Sequence, residues 1–269
     1  MNPHTTFAYQ NDAAVEYPAH DPAWAKWTPR APTSPHWYTP QQFQALLSAF
    51  LNVDRQTGTG ARLLSDVLAE FDGFSGSAAR RDVLRPLALT RATLEALVDE
   101  GAIALSLAAV LLTAMQERAR PVVPKRLGVL GEAHLGEALT AWYAVDPETI
   151  VYRTAKGITG GLPYCLEVAC GCATDAEAER ELLCGFNFTP ALGVPFRDLP
   201  WICGTADVNE ADPVTLVVHV TCPRLDATDR GKTAVTLPGE VTAAMRTLVA
   251  KAAEPWTKLK AKVRRAQHA

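Results

Sequence analysis

Gly231-Lys232-Thr233 sets a lysine ammonium between a glycine and a hydroxyl, the residue types of a phosphate contact. The word is not a P-loop, because Asp226 stands where such a loop needs its first glycine. Gly58-Thr59-Gly60 and Gly160-Gly161 lack both the G-K-[ST] ending and the full G-x-G-x-x-G, so neither is a phosphate cradle. Lys232 is therefore either a solvated loop charge or a point charge offered to a phosphate that is held elsewhere. No G-x-S-x-G elbow occurs, which leaves a serine hydrolase without an anchor. His219 lies inside an apolar run and reads as a buried histidine satisfied by backbone or a carboxylate. Cys165, Cys170, Cys172, Cys184, Cys203 and Cys222 all fall in the second half of the chain. Their C-x4-C-x-C start lacks paired C-x2-C spacing and a nearby histidine, so they read as buried reduced thiols, with no metal and no disulfide framework. No complete catalytic set is expected.

The element that must position Lys232 is the run from Val214 to Val220. Val214, Leu216, Val217, Val218 and Val220 are nearly continuous and apolar, as in a strand buried on both faces. The run stops at Pro223, and the polar stretch Arg224–Thr233 follows as a loop at one end of the sheet. Arg224 and Arg230 join Lys232 in making that loop positive, against Asp226 and Asp229. From Pro238-Gly239-Glu240 a long helix is predicted, with Val241, Met245, Leu248, Val249, Ala252, Trp256, Leu259 and Val263 in phase and a kink at Pro255. Its end carries Lys251, Lys258, Lys260, Lys262, Arg264 and Arg265 against Glu254 alone. That end is either a surface helix whose charge suits the C-terminal dipole or a contact for a partner or a DNA backbone.

The 269 residues as a whole are 48% hydrophobic and 20% charged with a net charge of −3, globular material sufficient for two small domains. No signal peptide, lipidation motif or long apolar run is present, so the chain reads as cytoplasmic without a membrane span. Ala102–Met115 is the most apolar stretch and reads as a buried core helix. A short strand within Asn2–Tyr9 leads into a linker rich in Pro and Trp, ordered if its aromatics pack. Thr39 then caps a helix that Pro40 begins, with Phe43, Leu46, Leu47 and Phe50 on one face. Further helices are predicted from about Gly60 to Gly73, from Ser77, from Thr90 through Val98, and on to Arg118, five in all. Arg55, Arg62, Arg80, Arg81 and Arg85 on this module either touch phosphates or form a solvated face. Pro121–Pro124 marks a boundary. Beyond it Lys125–Leu139 reads as a helix, and Thr149–Arg153, Leu162–Cys170 and Glu181–Phe188 read as strands.

Four stretches stand in a fixed order: the NPHTTF strand, the helical module, the GLPYCLEV to NFTP strand pair, and the VVHVTCP to Gly231-Lys232 loop. Together they resemble the B subunit of DNA topoisomerase VI, a type IIB enzyme, over nearly the whole chain. The resemblance implies an α+β fold with an N-terminal strand and linker (1–33), a helix-two-turn-helix-like domain (34–123) and a transducer domain (124–269). That last domain is expected to be a split βαβ sheet with helices on one face and a long C-terminal helix. By the resemblance Lys232 senses the γ-phosphate of ATP. Lys258, Lys260, Lys262, Arg264 and Arg265 lead toward DNA or the DNA-cleaving A subunit.

The family's ATP and Mg are held by a GHKL ATPase domain, and this chain is expected to begin where that domain ends. No Asn-bearing helix followed by a D-x-G-x-G turn and a glycine-rich lid occurs, so the chain by itself is expected neither to bind nor to hydrolyse ATP. Phe188 also departs from the family, whose pattern has an arginine there. The function implied is coupling of ATP hydrolysis to DNA cleavage and strand passage. The alternative is a scaffold protein of the same descent that has lost that coupling. Deleting residues 258–269 is expected to weaken a partner complex and leave the fold intact.

Overall fold

Helix α1 (Pro40–Thr57) starts at a reciprocal cap. The Thr39 hydroxyl accepts the Gln42 N–H at 3.2 Å and the Gln42 side chain accepts the Thr39 N–H at 3.0 Å, with Pro40 in the first turn. It ends at Gly58, whose φ of 67° suits a residue without a Cβ. The computed structural model describes residues 6–10, 14–17, 19, 21–24, 33–228 and 233–267. The described residues fall into two units, one built from 28–123 with 160–162 and the other from 1–27, 124–159 and 163–269.

The helical unit adds α2 (Leu64–Ala69), α3 (Ser77–Leu84) and α4 (Leu105–Arg118) to α1. Phe43, Leu47, Leu68, Phe71, Leu111 and Met115 sit at its apolar centre. Phe43 meets Phe71 edge to face at 5.8 Å. The helix predicted from Thr90 through Val98 is instead a 3-10 turn at Leu94–Leu97, followed by strands β3 (Val98–Asp99) and β4 (Ala102–Ile103). Glu100 and Gly101, with φ of 47° and 87°, form the tight turn that twists as a two-residue hairpin requires. The described residues of this unit thus hold four α-helices rather than five, and the second begins at Leu64 rather than near Gly60.

In the sheet unit, β1 (Phe7–Gln10) pairs with β2 (Ala14–Tyr17) in a separate hairpin. Asn2–Thr5 lie outside the described residues. The main sheet consists of β5 (Val151–Thr159), β6 (Leu162–Cys172), β7 (Glu181–Phe186), β8 (Thr189–Pro190) and β9 (Val214–Thr221), in the order β5-β6-β9-β7-β8. β9 is the middle strand, antiparallel to β6 and parallel to β7, and every one of its residues is buried. Helix α5 (Glu132–Tyr143) covers the face that carries Ala169, Val217 and Leu183. Cys203 on α6 (Leu199–Thr205) lies beside Cys170 and Cys184, which the strand alternation puts on the opposite face. Both faces are therefore covered, which is why β9 reads as an unbroken apolar run. The fold is α+β and closes with the long helix α7 (Gly239–Gln267), which contains Pro255.

Lys125–Leu139 is not one helix. A 3-10 turn at Pro124–Leu127 is followed by Gly128 and Gly131 at φ of 78° and 91°, and α5 starts only at Glu132. The reason lies far away in sequence, in the carboxylate that captures the Leu130 and Gly131 N–H groups.

Candidate functional site

That carboxylate belongs to Glu167, in the middle of β6 and opposite His219 of β9. Both side chains are wholly buried. Glu167 accepts the Leu130 N–H at 2.9 Å, the Gly131 N–H at 2.8 Å and the Tyr152 hydroxyl at 2.8 Å. The Phe188 N–H donates to His219 Nε2 at 3.1 Å, so that nitrogen carries no proton and Nδ1–H donates to Glu167 at 2.9 Å. The two hydrogen bonds thereby fix the orientation of the ring. Burial alone would push the Glu167 carboxyl up, but the hydrogen bonds from His219 and the two backbone amides hold it below the usual range. Burial and the adjacent carboxylate push the Tyr152 phenol far up, so it stays a donor. No atom of the pair faces solvent. The cluster bolts β9 to β6, β5 and the start of α5 rather than acting on a substrate.

The loop end of β9 is tied by the NFTP word. Asn187 donates its N–H to the Val220 carbonyl at 2.9 Å, and its side-chain oxygen accepts the Cys222 N–H at 2.9 Å. Phe188 is buried against His219 and against Trp24, the latter at a centroid distance of 4.7 Å. Trp24 in turn donates its indole N–H to the Val129 carbonyl at 2.9 Å, so at least this aromatic of the linker is packed. Strands β10 (Asp226–Ala227) and β11 (Val235–Thr236) pair with each other across residues 228–234, so the stretch Arg224–Thr233 is not all loop. The Val235 N–H reaches the Pro195 carbonyl at 2.9 Å. Lys232, with 229–231, lies outside the described residues.

The other end of β9 is clamped to α7. Asp212, two residues before the strand, accepts the Lys260 ammonium at 2.6 Å and the Asn209 N–H at 2.7 Å. The Lys260 side chain is only 11% exposed and also reaches the Asp207 carbonyl at 3.1 Å. Burial raises the Asp212 carboxyl, and Lys260 and the Asn209 amide more than offset it. Lys260 is thus spent inside the unit. Lys258, Lys262, Arg264 and Arg265 stay exposed. Lys258 pairs with Glu254 at 2.6 Å, and Arg264 approaches Asp207 at 3.5 Å.

In the helical unit Arg62 is also engaged. Its guanidinium and N–H both bind the Asp54 carboxylate, at 2.6 Å and 3.0 Å, and lie over the Phe50 ring. Arg55 pairs with Glu95 at 3.1 Å, and Arg80 caps the Phe74 and Ser75 carbonyls. Arg81 and Arg85 are exposed.

The six cysteines are free thiols. Burial pushes Cys170 and Cys184 up to about 12, which makes them poor nucleophiles. Among the described residues no group of three His, Cys, Asp or Glu side chains is placed to hold a metal, and no helix is long and apolar enough to cross a membrane.

Sequence reasoning missed Glu167. A lone acid inside LPYCLEVAC was the available signal.

No family model matches the sequence, and no curated protein matches it. Among solved structures, the B subunit of DNA gyrase from Myxococcus xanthus is similar over 46% of this chain at 17% identity and a TM-score of 0.28. The similarity spans 37% of that subunit, and at such a score it carries no argument.

Proposed function

We propose that this chain is the helical-plus-transducer part of a topoisomerase-VI-B-like protein, coupling nucleotide state in a GHKL domain to DNA cleavage and strand passage by an A-type subunit. The observation that supports this reading is the lever built on β9. One end of the strand runs into the loop that carries Lys232, and the other is pinned through Asp212 to Lys260 of α7. The strand spans about 26 Å and α7 from Gly239 to Lys260 about 32 Å, so the helix is long enough to return over that distance to Asp212. A pull on the loop is thus passed to the helix through a strand that is buried and bolted at its middle.

In this reading Lys232 follows the γ-phosphate of ATP held by the GHKL domain, with its Mg, and loses that contact on hydrolysis. Lys258, Lys262, Arg264 and Arg265 face the A-type subunit or DNA, and Lys260 transmits movement rather than touching either.

Reconstitution with a GHKL domain tests the reading. Lys232→Ala should lower ATP hydrolysis by roughly a hundredfold or more while the Tm stays within about a degree, an expected cost on the order of 0.5 kcal/mol or less. Equal hydrolysis with and without the lysine makes Lys232 a surface charge and leaves a scaffold that has lost ATP coupling.

A further inference from the structure

The outer edge of the main sheet is only partly covered. β8 pairs with β7 at Gly185 and Phe186. One further rung follows, where the Ala191 N–H meets the Cys184 carbonyl at 2.9 Å. Among the described residues no strand pairs with the outer side of Glu181–Leu183. Backbone groups alternate in direction along a strand, so the outward Cys184 carbonyl means that Leu182 also turns its N–H and C=O outward. Beside this edge, between α5 and the loop at 190–193, lies a groove of about 370 Å³. Leu139, Leu183 and Val217 line its depth, while Trp142, half exposed, and Leu192, wholly exposed, stand at its mouth.

The approach to the edge is acidic. Asp175, Glu177, Glu179 and Glu181 are exposed, whereas Arg180 is turned inward with its guanidinium on the Val208 carbonyl at 2.9 Å. A strand laid antiparallel to β7, in the direction of β8, would bring its C-terminal end to Glu181. A helix could fill the groove but would leave the Leu182 backbone unpaired, because its own backbone groups are already satisfied.

We propose that this edge and groove dock an extended segment of a partner protein. The segment adds to β7 as a strand, sets apolar side chains at alternate positions into the groove, and ends in lysine or arginine beside Glu181. The site does not depend on nucleotide coupling.

The probe is a short fluorescein-labelled peptide of alternating valine and threonine ending in two lysines, titrated into the full chain. Saturable binding by anisotropy is expected, with slowed hydrogen exchange at the Leu182 amide. The same peptide N-methylated on its edge-facing amides keeps its side chains and loses the ladder bonds, and should bind about tenfold more weakly or worse. Glu181→Lys should weaken the lysine-ended peptide and favour one ending in glutamates. No binding at millimolar peptide, binding without protection at Leu182, or equal binding of the N-methylated peptide would each overturn the proposal.

Discussion

The described buried polar residues of the helical unit are Ser34 and Asp54, whereas those of the sheet unit are His134, Glu167, Asp212, Thr215, His219 and Thr221. The two in the helical unit lie at element ends, Asp54 with Arg62 beside the close of α1 and Ser34 before the first turn. Glu167 and His219 instead occupy the middle of the two central strands. A core of the first kind is held by shape and area. One of the second kind is held by a few donors and acceptors that must all be matched, because an orphaned buried polar group costs more than a hydrogen bond gains. The lever proposed for β9 needs the second kind, since a strand held only by apolar packing has no fixed point along its length.

The sharpest way to break this contrast is Glu167→Ala. It strands the Leu130 and Gly131 N–H groups, the Tyr152 hydroxyl and the His219 Nδ1–H at once. We expect a loss of about 4 kcal/mol or more in the unfolding transition of the sheet unit, followed in urea by far-UV circular dichroism. Glu167→Gln should recover part of it, since one oxygen still accepts. The pH dependence has a definite sign. The Glu167 carboxyl is held below its ordinary 4.5 in the folded chain, so its contribution is complete above that value and is lost as pH falls through the depressed one. The Gln variant should lack that part of the acid limb. If Glu167→Ala costs no more than an ordinary surface change, the network is not what fixes β9.

Leu111→Ala is the counterpart in the helical unit. Leu111 is wholly buried on α4, so truncation leaves a cavity and should cost about 3 kcal/mol. Because only shape is lost there, Leu111→Met should restore most of the stability, which no apolar residue should do at position 167.

The same contrast explains what could be read from the sequence. Thr39-Pro40 and the spacing of Phe43, Leu46, Leu47 and Phe50 announce α1 because its cap and its periodicity are local. The run Val214–Val220 announces a doubly covered strand for another reason: its pairing with β6 and β7 is distant, but burial on both faces leaves an unbroken apolar run in the sequence itself. Lys125–Leu139 misleads because the Leu130 and Gly131 N–H groups go to Glu167 instead of into a helix, an event that local periodicity cannot carry. Lys260 misleads in the other direction. It reads as one of a run of free cations, and only the tertiary fold brings it to Asp212, 48 residues earlier in the chain.

Lys260→Met should therefore separate from its neighbours. Removing the ammonium takes the opposite charge away from the buried Asp212 carboxylate, at a cost of about 2 kcal/mol. Lys258→Met, whose partner Glu254 is solvent-exposed, should leave the Tm unchanged. Equal effects from the two would mean that the clamp is no more than a surface pair.

The smallest expected effect on the fold is also the one that separates clamp from contact. Deleting 258–269 removes the exposed cations together with Lys260, so any loss of partner binding would be confounded with loss of the Asp212 pair. Deleting 262–269 keeps Lys260 and removes Lys262, Arg264 and Arg265, along with Val263, which is half exposed and continues an apolar stripe with Leu259. The shorter deletion should leave the unfolding midpoint unchanged within error. If the end of α7 faces an A-type subunit or DNA, it should weaken that complex and flatten the salt dependence of DNA binding, since fewer counterions are released when fewer phosphates are neutralised. If pull-down and salt slope both match the full chain, the end is a surface helix whose cations serve its dipole, and α7 stops transmitting at the clamp.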